Sequence, residues 1–202
     1  MNTELKISKG ERTKQRVIEQ AAHVFNEKGY AGTSVSDLTK ATKLTSGAIY
    51  GSFEGKNDLA AQAFEYSADK LLEGYLGCVK KEKDPEKQLY RVLEFPSKEI
   101  YLMFDGGCPA LNMAVEADDT LPWMRTRVNQ AFSRLLGLIE DILKRGIEEG
   151  RFIPVDTKKY SLYLLSTLEG SIMLAKSFQD LSIMKDAADQ MKKEIKAGIV
   201  KA

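Results

Sequence analysis

The chain has 202 residues, 43% of them hydrophobic and 29% charged, with a formal net charge of +1. That balance is that of an ordinary soluble globular protein with room for one large or two small cores, and it excludes a chain that binds polyanions through overall basicity. No apolar run reaches the ~18 residues of a membrane span and the N-terminus lacks a signal-peptide core, so the chain reads as cytoplasmic. Cys78 and Cys108 fit neither a zinc spacing nor a disulfide framework, and with one histidine no metal or cofactor is expected. Alternating β-type runs are absent, so the expected fold class is all-α.

The first predicted helix runs from Lys9 to Lys28, with Val17, Ile18, Ala21, Ala22, Val24 and Phe25 on a broad apolar face and Gly29 as a natural stop. His23 sits mid-helix beside that face and reads as structural. Between Met1 and Arg16 five basic residues (Lys6, Lys9, Arg12, Lys14, Arg16) stand against Glu4 and Glu11. Such a cluster suits a phosphate-contacting arm or, equally, a solvated tail.

Two short helices come next. Ser34 can cap the first, with Asp37 at its third position and Val35, Leu38 and Ala41 forming one stripe. Thr42, Lys43 and Leu44 break the pattern. Thr45 or Ser46 can cap the second, which is predicted to reach Phe53, with Ile49 and Phe53 turned inward. Its outer side carries Thr45, Ser46, Gly47, Ala48, Tyr50, Gly51 and Ser52. Small uncharged hydrogen-bonding residues suit a helix that meets something flat and close, such as the edge of a DNA groove. Gly47 permits close approach, and the Tyr50 phenol can reach a phosphate while its ring packs. Lys56 opens a fourth helix, where its charge and the free N–H groups suit another phosphate.

That fourth helix extends about six turns through Leu59, Ala63, Phe64, Leu71, Tyr75 and Val79, long enough to leave the N-terminal unit and join it to the C-terminal part of the chain. Lys80 to Glu86 is a polar break. A helix over 87–104 is predicted to be kinked or split at Pro96. After Asp105-Gly106-Gly107, Cys108 is the expected N-cap and Pro109 the first position of a short helix ending at Ala117. Helices over 120–150 and 157–178, the latter capped by Asp156, and a last amphipathic one striped by Met184, Ala188, Met191, Ile195 and Ile199 complete the chain.

Phe25, Gly29, Tyr30, the Thr33–Ser34 pair and Leu38, followed by Leu44-Thr45-x-Gly47-x-Ile49-Tyr50-x-x-Phe53-x-x-Lys56-x-x-Leu59, resemble the TetR/AcrR family of bacterial transcriptional regulators. The likeness spans roughly residues 10–70. It implies a DNA-binding domain over 10–56, a three-helix unit containing a helix-turn-helix, and a larger regulatory, ligand-binding and dimerisation domain over 57–202. By the resemblance Thr45, Ser46, Ala48 and Tyr50 face the major groove or its walls, and Thr33 and Ser34 meet the duplex backbone. Two positions depart from the pattern. Lys43 stands where the family often has glycine; a left-handed lysine costs about 1 kcal/mol, which a phosphate contact would offset. Gly51-Ser52 replace an aromatic or histidine, leaving Ser52 a hydroxyl-mediated contact.

The resemblance further implies a homodimer through the helices at about 157–178 and 183–200, a palindromic double-stranded operator, and release of that operator when a small-molecule effector binds. A monomer core would explain the same helix pattern. Candidate effector-binding residues are Tyr66, Phe95, Tyr101, Phe104, Met113, Trp123, Met124 and Tyr163, since aromatic and Met side chains suit an apolar ligand; each also suits plain core. Cys108 carries a second idea. At a helix N-cap, with Gly106-Gly107 leaving it accessible, its thiolate would be stabilised by the dipole. The Gly-Cys-Pro run resembles one branch of the family, some of whose members sense electrophiles through a cysteine, so Cys108 is either such a sensor or a small buried cap. With one distant histidine and no phosphate loop, an enzyme is not expected.

Overall fold

The computed structural model describes residues 8–117 and 120–201. Lys6 and Glu4 of the N-terminal basic cluster lie outside them. The described chain is helical without named strands. A single antiparallel bridge, Phe152 to Val200, ties the C-terminus to the loop before the penultimate helix.

Helix α1 spans Lys9–Gly32 and opens on a capping box in which Ser8 and Glu11 satisfy each other's backbone N–H groups. The helix is broken in all but name at Gly29, whose φ of 74° no ordinary residue adopts cheaply. The chain then makes one more turn before Thr33, which is 2% exposed and donates its hydroxyl to Gly29 O at 2.6 Å. α2 (Val35–Thr42) carries the expected Ser34–Asp37 capping box. Lys43 ends it in the left-handed conformation, φ 57° and ψ 30°. α3 is shorter than its pattern suggests: Ser46–Tyr50, capped by the Thr45 hydroxyl accepting from Ala48 N. Gly51 and Ser52 do not continue it, and the chain turns through Phe53 to Gly55.

α4 (Lys56–Val79) is the backbone of the molecule. Leu59, Ala60 and Ala63 complete an N-terminal core with Val17, Ala21, Phe25, Leu38, Ile49 and Phe53. Ala61, Phe64, Ala68, Leu71, Tyr75 and Val79 belong to the large second core. Both cores are therefore built on one uninterrupted helix.

α5 (Pro85–Phe95) begins two residues earlier than expected, because Asp84 accepts from Glu86 N and Lys87 N and Pro85 fills the first helical position. Pro96 does not stop the chain. It enters a π turn, Pro96–Ile100, that leads into α6 (Tyr101–Met103). A widened turn spares the proline the N–H it cannot donate. α7 (Pro109–Ala117), α8 (Pro122–Glu148), α9 (Thr157–Phe178) and α10 (Ser182–Gly198) close the second core.

Candidate DNA-reading surface and regulatory core

The N-terminal unit holds α3 by two anchors, the fully buried Ile49 and the buried Phe53. Burying such side chains is worth roughly 1.5–3 kcal/mol each, enough to fix a five-residue helix that would not form alone. Thr45, Ser46, Gly47, Ala48 and Ser52 are exposed, as is Lys43 at the turn. On the adjoining start of α1, Lys9, Arg12 and Arg16 are exposed too, whereas Glu11 is consumed by the Ser8 cap, which holds its carboxyl below the ordinary range. The side left open is thus uncharged along α3 and basic beside it.

Four expected DNA contacts have side chains turned to the protein itself. The Thr33 hydroxyl is buried and bound to Gly29 O, so it pins the α1 kink instead of facing out. The Ser34 hydroxyl donates to Asp37 Oδ2 at 2.6 Å and accepts from Asp37 N, so both its hydrogen-bonding roles are spent within the cap. Tyr50 packs against the N-terminal core, and its hydroxyl is buried without a hydrogen-bond partner from the protein. Lys56 turns inward: Nζ donates to Tyr30 O at 2.7 Å and lies 4.2 Å from the Tyr30 ring centroid, with partial burial pulling its pKa down. His23 also departs from its expected structural place beside the core. It is exposed, and its Nδ1 lies 3.8 Å from Asp105 Oδ2.

Tyr30 is the hub of the seam between the two cores. Trp123 meets its ring edge-on at 5.7 Å, and Glu116 of α7 accepts its N–H at 2.6 Å. Asn26 donates to Gly107 O at 3.0 Å, and Asn112 donates back to Asn26 O and Oδ1. Trp123 therefore joins the units and does not line the interior of the second core. Met113 faces a cavity of about 20 Å³ at this seam, room for a single water, and Met124 is fully buried. Tyr66 and Phe104 line a small cleft with His23, Lys70 and Met103. Tyr163 is on the opposite, exposed side of α9 and bonds Glu194.

The remaining three candidates come together. Phe95 stacks at a tilt on Tyr75, with centroids 4.2 Å apart. Cys108 donates its thiol to Glu169 Oε1 at 3.3 Å. Burial, then the Glu169 carboxyl and the Cys108 thiol, push the Tyr75 phenol well above its usual range. Burial and Cys108 likewise raise Tyr101. Neither Tyr75 nor Glu169 is marked as a site residue by any motif in the sequence. The one available signal is a lone carboxylate in the otherwise apolar stretch Leu168-Glu169-Gly170-Ser171-Ile172.

Cys108 cannot act as the accessible thiolate expected from its N-cap position. It is 1% exposed, and burial followed by the neighbouring Glu169 carboxyl drives its thiol well above the ordinary range, overwhelming the backbone N–H groups of Ala110 and Leu111. The glycines before it are not gaps for solvent. A Cβ on Gly106 would collide with the Asn26 carbonyl, so that position is glycine for close packing onto α1.

A capped helix-turn-helix set beside a larger helical core through one shared helix defines a helical transcriptional regulator. Residues 17–63 match the family described as bacterial regulatory proteins, tetR family, and residues 98–191 match the tetracyclin repressor-like C-terminal domain. A solved TetR transcriptional regulator from Chloroflexus aurantiacus is 35% identical, covers 96% of this chain and 99% of its own, and superimposes with a TM-score of 0.92. One from Cytophaga hutchinsonii is 33% identical over 98% of this chain and 99% of its own, at a TM-score of 0.91. An uncharacterised HTH-type regulator of Lactococcus lactis is 24% identical over 89% of this chain and 91% of its own. The chain belongs to the TetR family of transcriptional regulators. No described helix is long and apolar enough to cross a membrane.

Proposed function

We propose that the chain is a homodimeric repressor that reads a palindromic operator through α3 and releases it when a small effector enters the second core. The observation that carries this reading is the outer side of α3 and its flanks: exposed Thr45, Ser46, Gly47, Ala48, Gly51 and Ser52, held out by Ile49 and Phe53, with exposed Lys43, Arg12 and Arg16 beside them. Thr45, Ser46 and Ala48 read base edges, Gly47 lets the groove floor come close, and Lys43, Ser52 and the basic start of α1 meet phosphates. The DNA-binding domain is taken as residues 10–56 and the regulatory domain as 57–202, with α4 shared mechanically.

Dimer formation is supported by α9. Leu162, Tyr163, Met173, Leu174 and Phe178 lie exposed along it, Phe178 by 70%, and Leu181 continues the patch. Exposed apolar side chains strung along one helix in this way suit an association surface, and pairing through α9 and α10 would set the two α3 helices a fixed distance apart. Coupling runs through the elements that bridge the seam, among them α4, the Glu116-bearing α7 and the Trp123-bearing α8, so that a change in the second core alters the tilt of the N-terminal unit.

The test is a gel shift with DNA from upstream of the chain's own gene. A competitor-resistant complex whose affinity falls with salt is expected, and its absence would remove the proposal.

A further inference from the structure

Tyr75 on α4, Tyr101 on α6, Cys108 at the start of α7 and Glu169 on α9 bring four elements to one point inside the second core. Their polar atoms are unevenly served. Glu169 Oε1 receives the Cys108 thiol, but its Oε2 is buried with no hydrogen-bond partner, and so are the Tyr75 and Tyr101 hydroxyls. Glu169 is 8% exposed, Tyr75 2%. Three orphaned polar atoms in one core depart from the rule that buried polar groups are paired, and each tends to be costly unless something else satisfies it.

The charge is uneven too. Burial and the Cys108 thiol are the influences on the Glu169 carboxyl, and among the described residues no lysine, arginine or histidine pairs with it. Lys176, two turns further along α9, donates to Gly106 O at 2.9 Å instead. A buried carboxylate without a cation is a standing demand for one, or for a proton. Beside it lies the Tyr75 ring, stacked at a tilt on Phe95; aromatic faces attract positive charge, and phenol oxygens accept hydrogen bonds.

We propose that Glu169, Tyr75 and Tyr101 form the effector subsite of this regulator and that it takes a small primary ammonium compound with an apolar body. This rests on the ligand-responsive reading above. The ammonium group donates to Glu169 Oε2 and to the two phenol oxygens, and the apolar body packs on Phe95. Tyr101 lies two residues before Met103, which lines a cleft with Tyr66 and Phe104. The backbone there is already irregular, a π turn and a three-residue helix, which lets side chains shift without unwinding a long helix. Ligand seated on Glu169 also bears on Cys108, next to the Gly106 and Gly107 carbonyls that hold Asn112 and Asn26 of the seam.

The experiment is isothermal titration of the full-length protein at pH 7.5 with benzylammonium, hexylammonium and phenethylammonium. Benzyl alcohol and benzoate serve as the neutral and anionic counterparts. Saturable binding of at least one ammonium compound is expected, at least tenfold tighter than benzyl alcohol, with no binding of benzoate. Glu169→Gln should lose that binding tenfold or more, and Tyr75→Phe several-fold, with far-UV circular dichroism unchanged. If Glu169→Gln does not fold, Tyr75→Phe decides the matter. No saturable binding by any of the three amines, benzoate binding as well as an amine, or variants that bind amines like the wild type would overturn the proposal. Operator binding is measured separately without amine. Its loss in the wild-type protein would sink the DNA-reading proposal and leave the titration result to stand by itself.

Discussion

Glu116 of α7 and Tyr30 of α1 are joined across the seam by a 2.6 Å hydrogen bond from the Tyr30 N–H to Oε2, at the point where Gly29 breaks the helix. The break strips Tyr30 N of its ordinary helical acceptor, and a carboxylate from the other core supplies one. A charge-assisted bond of this sort contributes about 1.5–3 kcal/mol, and its loss leaves the partly buried N–H unsatisfied. Glu116→Ala should lower stability by that order in urea unfolding. It should also blunt the response of operator affinity to any effector, because one of the bonds across the seam is cut. A variant with full stability and full response would show that the Glu116 bond carries no coupling.

Glu169 makes stability depend on pH in a direction opposite to most carboxylates. Burial holds its pKa at about 7 in the folded chain, against 4.5 for the solvated group. Between those values the native state binds more protons than the unfolded one, so stability falls as pH rises through that window and stays low above it. The loss amounts to about 3 kcal/mol at pH 8 and is absent at pH 4. The difference between wild type and Glu169→Gln isolates this contribution. The variant should gain on the wild type between pH 5 and pH 8 in denaturant titrations. A constant difference would mean that Glu169 stays in one protonation state.

Lys43 sits at φ 57°, where a side chain costs about 1 kcal/mol relative to glycine. Lys43→Gly should therefore raise the melting temperature slightly. If the side chain also meets a phosphate, the same variant binds operator more weakly, and the slope of log affinity against log salt shrinks by about 1. Higher stability with an unchanged slope would restrict Lys43 to the turn.

Tyr50 separates packing from contact. Its ring belongs to the N-terminal core and its hydroxyl is buried without a protein partner, so Tyr50→Phe should keep or slightly improve stability. Tyr50→Ala should cost the DNA-binding unit about 2–4 kcal/mol through the cavity it leaves. Operator affinity of Tyr50→Phe, read by gel shift, then reports on the phenol alone. A tenfold loss would mean that the hydroxyl turns outward on DNA.

On α9, Leu174→Glu or Met173→Glu places a charge in the exposed apolar stripe. Sedimentation should show a monomer that retains its helix content and binds operator far more weakly. A dimer persisting in both variants would place the interface elsewhere.

Much of the N-terminal unit is legible in the sequence because local chemistry decides it. Ser34 and Asp37 cap, Gly29 breaks, Ile49 and Phe53 recur on one side, and even the left-handed Lys43 follows from a turn with nothing else to fill it. Legibility ends where a distant residue competes for a side chain. Lys56 and Thr33 look available along the chain, but the kink at Gly29 brings the Tyr30 and Gly29 carbonyls to them. Trp123 and Tyr163 suit a pocket by residue type, and it is helix phase that sends one to the seam and the other to the outside. Cys108 misleads because Gly106 and Gly107 look like openness when they are contact. Glu169 gives no periodic signal, since one acid in an apolar helix does not disturb its pattern.

The sharing of α4 by two cores sets a phase relation that length alone does not describe. Leu59 and Ala63 face one core and Leu71 and Tyr75 the other, a few turns apart on one axis. One residue inserted between them would turn the N-terminal unit by about 100° against the second core, whereas seven would restore the heading and add about 10 Å. In the proposed dimer, the spacing and orientation of the two readers on a duplex would in this sense be written in the residue count of a single helix.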